Sequence, residues 1–411
     1  MGVETLVVVG ASLAGLRAVE AARKAGFAGA ITLIGAEPHL PYDRPPLSKA
    51  FLDVPSSAQP AVPFFRTEQA LRDELGVNLV LGQPATALDT ERREIAVGDR
   101  QVRYDAVVIA TGSSPRMIRG TGLAGVHPLR TLDDALAVRA ALDNGARTVV
   151  IGAGFIGSEV ASAARKRGLD VTVVEALPTP LVRATGEAMG HAIAALHERN
   201  GTALRCGAGV TALEGSGKVE RVILAGGTVI DADLVVVGIG VSPNTDWLRG
   251  CGLELDNGIV CDETLWTGAP GIYAAGDVAN WRNPMFGERQ RMENWTAAAE
   301  QGAAAARNAL DPEHAKAYST VPYFWSDWYD ARIQFVGTPA ADEVRLVDGN
   351  PGSSRRWVAL YRRGDRLTGA LAVNGQGEIM KYRGLIMRRA PWDDALAFAG
   401  QRKALAAGGS H

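Results

Sequence analysis

One pattern occurs twice in this chain and constrains its fold more than any other feature. An apolar strand, a glycine-rich turn, an alanine-rich helical stretch and a second apolar run ending in glutamate span residues 6–37 and recur over residues 148–175. Each passage is a βαβ unit, because β-branched runs give way to helical spacing and then return. Each is answered downstream by a buried-strand pattern that stops at a glycine, Asp105-Ala106-Val107-Val108-Ile109-Ala110-Thr111-Gly112 and Asp233-Leu234-Val235-Val236-Val237-Gly238-Ile239-Gly240. The stretches from Gly10 to Gly112 and from Gly152 to Gly240 have similar length and order. Two Rossmann-like dinucleotide-binding domains of an α/β class are expected.

After the second copy comes another strand and turn, Gly271-Ile272-Tyr273-Ala274-Ala275-Gly276-Asp277, then an alanine-rich helix near residues 296–310. The second domain is therefore expected to be inserted in the first. The boundaries read are 1–112 and 243–320 for the first domain and 113–242 for the second. From about residue 321 the texture changes to alternating runs with turns at Gly364-Asp365 and Asn374-Gly375, so residues 321–411 are read as a C-terminal α+β domain.

Composition agrees with nucleotide binding and excludes other classes. Forty-eight glycines without a collagen period imply many tight turns or close approaches. A net charge of −2 lacks the positive field of a nucleic-acid binder. Charge is uneven, however: residues 351–411 hold eleven Lys/Arg against four Asp/Glu. The cysteines, Cys206, Cys251 and Cys261, form no C-x-x-C or C-x-x-x-x-C pair, so neither a metal site nor a redox dithiol is signalled. The six histidines show no ligand spacing and are read as surface residues. With no basic leader and no apolar run near 18 residues, a cytoplasmic protein with no membrane span is expected.

Gly152-Ala153-Gly154-Phe155-Ile156-Gly157 satisfies G-x-G-x-x-G between a strand and a helix. There the first glycine makes the turn, the second admits a pyrophosphate and the third allows helix–strand packing. Glu175 would accept from ribose hydroxyls and repel a 2′-phosphate, favouring NADH over NADPH. Arg183 and the Arg165-Lys166-Arg167 run temper that preference, although the run also reads as a solvated helix end. The first fingerprint, Gly10-Ala11-Ser12-Leu13-Ala14-Gly15, has serine at the central position, with Glu37 as its ribose acceptor. Two dinucleotide sites suggest a tightly held flavin and a passing nicotinamide; two substrate nucleotides are the alternative.

The chain resembles the flavoprotein ferredoxin reductases of bacterial haem-thiolate monooxygenases and ring-hydroxylating oxygenases, the putidaredoxin-reductase-like group of the glutathione-reductase-like fold. The likeness rests on the first fingerprint, Pro41-Tyr42-Asp43-Arg44-Pro45-Pro46-Leu47-Ser48-Lys49, Ala110-Thr111-Gly112, Leu129-Arg130-Thr131-Leu132-Asp133-Asp134, the second fingerprint through Glu159, Ala275-Gly276-Asp277 and Phe324-Trp325-Ser326-Asp327. It implies FAD and NADH as cofactors, a 2Fe-2S ferredoxin as acceptor, and a monomer or homodimer. A rubredoxin reductase, or an NADH-sensing flavoprotein like apoptosis-inducing factor, are the alternatives. Disulfide-reducing relatives carry a cysteine pair where residues 42–49 stand here, so the flavin itself must pass electrons outward.

By that resemblance the FAD contacts are Gly10, Ser12, Ala14, Gly15, Glu37, Arg44, Lys49, Ala85, Thr111, Gly112, Arg130, Asp277 and Trp295. Those for NAD are Gly152, Gly154, Ile156, Gly157, Glu159, Glu175, Arg183 and Gly240. Lys49 and Glu159 are the catalytic candidates: paired near the flavin, they would orient the nicotinamide. Glu159 could instead be a carboxylate favoured at a helix N-terminus, Asp277 a plain N-cap, and Trp295 a core residue. Trp328 stands where relatives often have glutamine, near the expected flavin rim. Arg289, Arg291, Arg362, Arg363 and Lys381 are candidate docking charges for an acidic ferredoxin.

Overall fold

The computed structural model describes residues 2–53, 61–118 and 122–408, with the side chains of 405–408 outside the description. The chain divides into two compact units. One comprises Met1–Asp43, Ala61–Ser114 and Val241–Thr320; the other comprises Arg44–Pro60, Pro115–Gly240 and Val321–His411.

The first unit is built on a parallel five-stranded sheet in the order Ile272–Ala274, Ala106–Ile109, Thr5–Val9, Ala30–Ile34, Val77–Val80. Its strands are near-continuous Val, Ile and Leu because both faces are covered, as parallel sheets require. The helix Leu13–Lys24 packs beside the helix Trp295–Leu310 at a small-residue contact. A Cβ on Gly302 would lie 2.1 Å from the Ala14 carbonyl oxygen. Two features were not apparent from periodicity: a hairpin sheet over Ala85–Asp89, Glu94–Val97 and Arg100–Arg103, and a small sheet of Ile259–Cys261, Ala279–Asn283 and Glu288–Arg291.

The second unit holds two five-stranded sheets. One is parallel, in the order Ala203–Arg205, Val171–Val174, Thr148–Ile151, Leu234–Val237, Val126–His127. The other is antiparallel, in the order Tyr323–Trp328, Ala331–Gly337, Arg366–Val373, Trp357–Arg363, Glu343–Asp348. Its inner face joins Trp328, Phe335, Trp357 and Tyr361 to Leu181, Ile193 and Leu196 in one buried cluster. Tyr361 adds a hydroxyl bond of 2.6 Å to the Thr185 carbonyl.

One expectation is corrected here. His197 is not a surface residue: it is fully buried, because its imidazole is bonded through both nitrogens, to Ser158 Oγ at 3.1 Å and the Tyr329 hydroxyl at 2.7 Å. Trp328 is fully buried in the core of its unit. His191 and His314 are exposed, and His411 lies outside the described residues. Among the described residues no helix is long and apolar enough to cross a membrane, no His/Cys/Asp/Glu group could hold a metal ion, and the three cysteines are unpaired.

Candidate dinucleotide sites and a buried carboxylate

The glycines of the two fingerprints separate into distinct duties. Gly10 (φ +123°) and Gly152 (φ +104°) turn tightly against the neighbouring strand. A Cβ there would stand 2.0 Å from the Ala110 carbonyl oxygen and 2.3 Å from that of Gly238. Gly15 and Gly157 serve helix–strand packing, since a Cβ would fall 1.9 Å from the Gly10 oxygen and 2.1 Å from the Gly152 oxygen. Gly154 differs: an added Cβ would meet nothing nearer than 3.9 Å. The space over its backbone is open, as the approach of a pyrophosphate requires, and the residues at this loop fit a dinucleotide.

In the first unit, Ser12 precedes the helix Leu13–Lys24 and Ala14 is buried in its first turn. Glu37 accepts from the Tyr42 hydroxyl at 2.6 Å. Thr111 and Asn244 bind each other's backbone, Oγ1 to carbonyl at 3.0 Å and Nδ2 to carbonyl at 2.9 Å. Gly112 adopts φ +67° in the turn that follows the strand Ala106–Ile109. Ala85 opens its hairpin sheet, half-buried.

Asp277 is buried and accepts from Ser113 Oγ at 2.8 Å. It sits in the single 3-10 turn Gly276–Val278, which runs on into a strand, and the long helix Trp295–Leu310 is capped by Asn294. The expectation of a helix start at Asp277, and with it the plain N-cap reading, is therefore corrected. Beside it, Gln301 accepts from the Gly276 N–H at 2.9 Å while its buried Nε2 has no partner among the described residues, an orphan donor that a bound group could satisfy. These residues fit an FAD. Trp295 is half-buried and donates from Nε1 to Asp43 Oδ1 at 2.8 Å.

In the second unit Glu159 lies on the helix Phe155–Lys166 and is 2% exposed. A carboxylate so buried needs donors on both oxygens. Oε2 receives the Lys49 ammonium at 2.8 Å and the Ser48 hydroxyl, and Oε1 receives Ser326 Oγ at 2.5 Å. Lys49 and Ser48 are held in place from behind. Arg139 donates to the Phe51 carbonyl, Arg167 Nε to that of Leu52 at 2.6 Å, and Lys166 pairs with Asp53 at 2.7 Å. Arg44 Nη1 donates to the Arg130 carbonyl at 2.6 Å, at the start of the capped helix Leu132–Asp143.

Glu175 is drawn onto the fingerprint loop, accepting from the Ala153 N–H at 2.7 Å and the Leu177 N–H at 2.9 Å. Ile156 is exposed, and Arg183, also exposed, brings its guanidinium to about van der Waals range of a Cβ placed on Gly240. Of the docking candidates, Arg289 donates to the carbonyls of Cys261 and Asn280, Arg291 to that of Asp277, and Arg362 pairs with Glu343 at 2.9 Å. Lys381 is exposed on the helix Gln376–Met387.

Sequence reasoning assigned no role to Ser48, Ser326, Asp43 or Gln301. Ser326 was detectable in principle, because strand alternation puts it on the inner face with Trp328.

Two fingerprint loops, each at the carboxyl end of a parallel sheet, define a two-dinucleotide oxidoreductase. Residues 4–302 match the family described as pyridine nucleotide-disulphide oxidoreductase, and residues 323–406 match the reductase C-terminal domain. The chain belongs to that family. It is 37% identical over 396 residues to rhodocoxin reductase of Rhodococcus erythropolis, covering 94% of this chain and 90% of the relative. It is also 37% identical over 389 residues to the ferredoxin–NAD(+) reductase component of the anthranilate 1,2-dioxygenase system of Burkholderia cepacia, covering 94% and 95%. Its fold superposes on the covalent putidaredoxin reductase–putidaredoxin complex with a TM-score of 0.88 at 33% identity, covering 94% of each chain.

Proposed function

We propose that this chain is an FAD-dependent NADH:ferredoxin reductase whose acceptor is a 2Fe-2S ferredoxin feeding an oxygenase. The observation that carries the reading is the pair of glycine loops in one chain whose cysteines are all unpaired. Bound FAD supplies the conversion of a hydride from NADH into electrons released one at a time. The protein's own part is to hold and orient. Gly10, Ser12, Ala14, Gly15, Glu37, Ala85, Thr111, Gly112, Asp277 and Trp295, with Arg44, Lys49 and Arg130, are assigned to FAD. Gly152, Gly154, Ile156, Gly157, Glu175, Arg183 and Gly240 are assigned to NADH. Lys49 and Glu159 are assigned to orienting the nicotinamide, a positional role because hydride transfer needs no separate acid or base.

The domain boundaries proposed are 1–112 with 243–320 for FAD, 113–242 for NAD and 321–411 for the C-terminal domain. The protein is proposed to work in the cytoplasm as a monomer or homodimer. NADH-driven cytochrome c reduction, with and without a 2Fe-2S ferredoxin and repeated with NADPH, tests the reading. Ferredoxin should raise the rate and NADPH should serve poorly. A rate indifferent to ferredoxin contradicts it.

A further inference from the structure

The strand Tyr323–Trp328 alternates, so Ser326 and Trp328 share its inner face, and both are fully buried. Trp328 Nε1 donates to Ser326 Oγ at 2.8 Å, and Ser326 Oγ donates to Glu159 Oε1 at 2.5 Å. An indole N–H can only donate, so it fills one acceptor site of the hydroxyl and restricts its rotation, directing the hydroxyl proton to the carboxylate. Trp328 is itself fixed. Its ring centroid lies 4.9 Å from that of His197, tilted by 35°, and His197 is tied through its two nitrogens to Ser158 and Tyr329.

We propose that Trp328 is a positioning residue for hydride transfer, setting the Ser326 hydroxyl that fixes one oxygen of Glu159 while Lys49 and Ser48 fix the other. This rests on the reading that Glu159 and Lys49 orient the nicotinamide. A tryptophan serving only to fill the core would have the same burial, but its effect on the rate would not depend on the Ser326 hydroxyl.

The test is single-turnover reduction of the bound flavin by NADH in the holoenzyme, without ferredoxin, for Trp328→Phe, Ser326→Ala and the double variant. Losing one hydrogen bond from the relay should lower the limiting rate about three- to tenfold. The NADH concentration for half-maximal rate should stay unchanged, and Trp328→Phe should add nothing in the Ser326→Ala background. A wild-type limiting rate in Trp328→Phe, or an effect that multiplies in full onto Ser326→Ala, overturns the relay. So does an unchanged limiting rate in Ser326→Ala, however Trp328→Phe folds. If NADH fails to reduce the wild-type flavin at all, the underlying function fails instead.

Discussion

Lys49 Nζ stands 2.8 Å from Glu159 Oε2, with the carboxylate 2% exposed and the lysine side chain still reaching solvent. A buried charge persists when it is paired and both its oxygens have donors, and here one ammonium and two hydroxyls supply them. The cluster joins the segment before the helix Ala50–Asp53, the helix behind the second fingerprint and the first strand of the C-terminal sheet. Three segments distant in sequence therefore set one carboxylate.

Glu159→Gln keeps the size and removes the charge. Flavin reduction by NADH should slow by about tenfold or more, from lost orientation, with the FAD content of the purified protein unchanged. Stopped-flow absorbance of the bound flavin measures both quantities.

Glu175→Ala removes the carboxylate held over the Ala153 and Leu177 amides. The preference for NADH over NADPH, measured as the ratio of kcat/KM values, should fall by about tenfold or more, most of it through weaker use of NADH.

His197 is buried with no charged partner among the described residues, and desolvation pushes its pKa down from 6.5 to about 4. The neutral imidazole is the folded form, and the unfolded chain takes up the proton first. Stability is therefore full above about pH 6.5 and is lost as pH falls toward 4, by on the order of 3 kcal/mol. Urea unfolding across that range should show this slope, and His197→Gln should flatten it.

Gly152→Ala places a Cβ 2.3 Å from the Gly238 carbonyl at a φ of +104°. Stability should fall by about 2–4 kcal/mol, seen as a lower Tm. Gly154→Ala should leave Tm nearly unchanged and weaken NADH binding, because its Cβ meets open space.

The two sheets and their loops were legible because a parallel strand buried on both faces reads as an unbroken apolar run and a fingerprint turn needs glycine. Glu159 and Lys49 stood out through the motifs around them. Ser48 and Ser326 did not, since a serine's value here depends on which carboxylate a distant segment delivers to it. His197 was misread for a related reason: no spacing rule reports that Ser158 and Tyr329 converge on both imidazole nitrogens. Asp277 was placed at a helix start because the Ala-Gly-Asp turn is local, whereas the strand that follows pairs with Ile259–Cys261 and Glu288–Arg291.

The most direct test of the central claim is to reduce the enzyme with NADH under anaerobic conditions and mix it with an oxidised 2Fe-2S ferredoxin in a stopped-flow instrument. The account predicts rapid flavin reoxidation with matching bleaching of the ferredoxin, at a rate that falls as salt rises. A flavin that stays reduced while the ferredoxin spectrum is unchanged would contradict it.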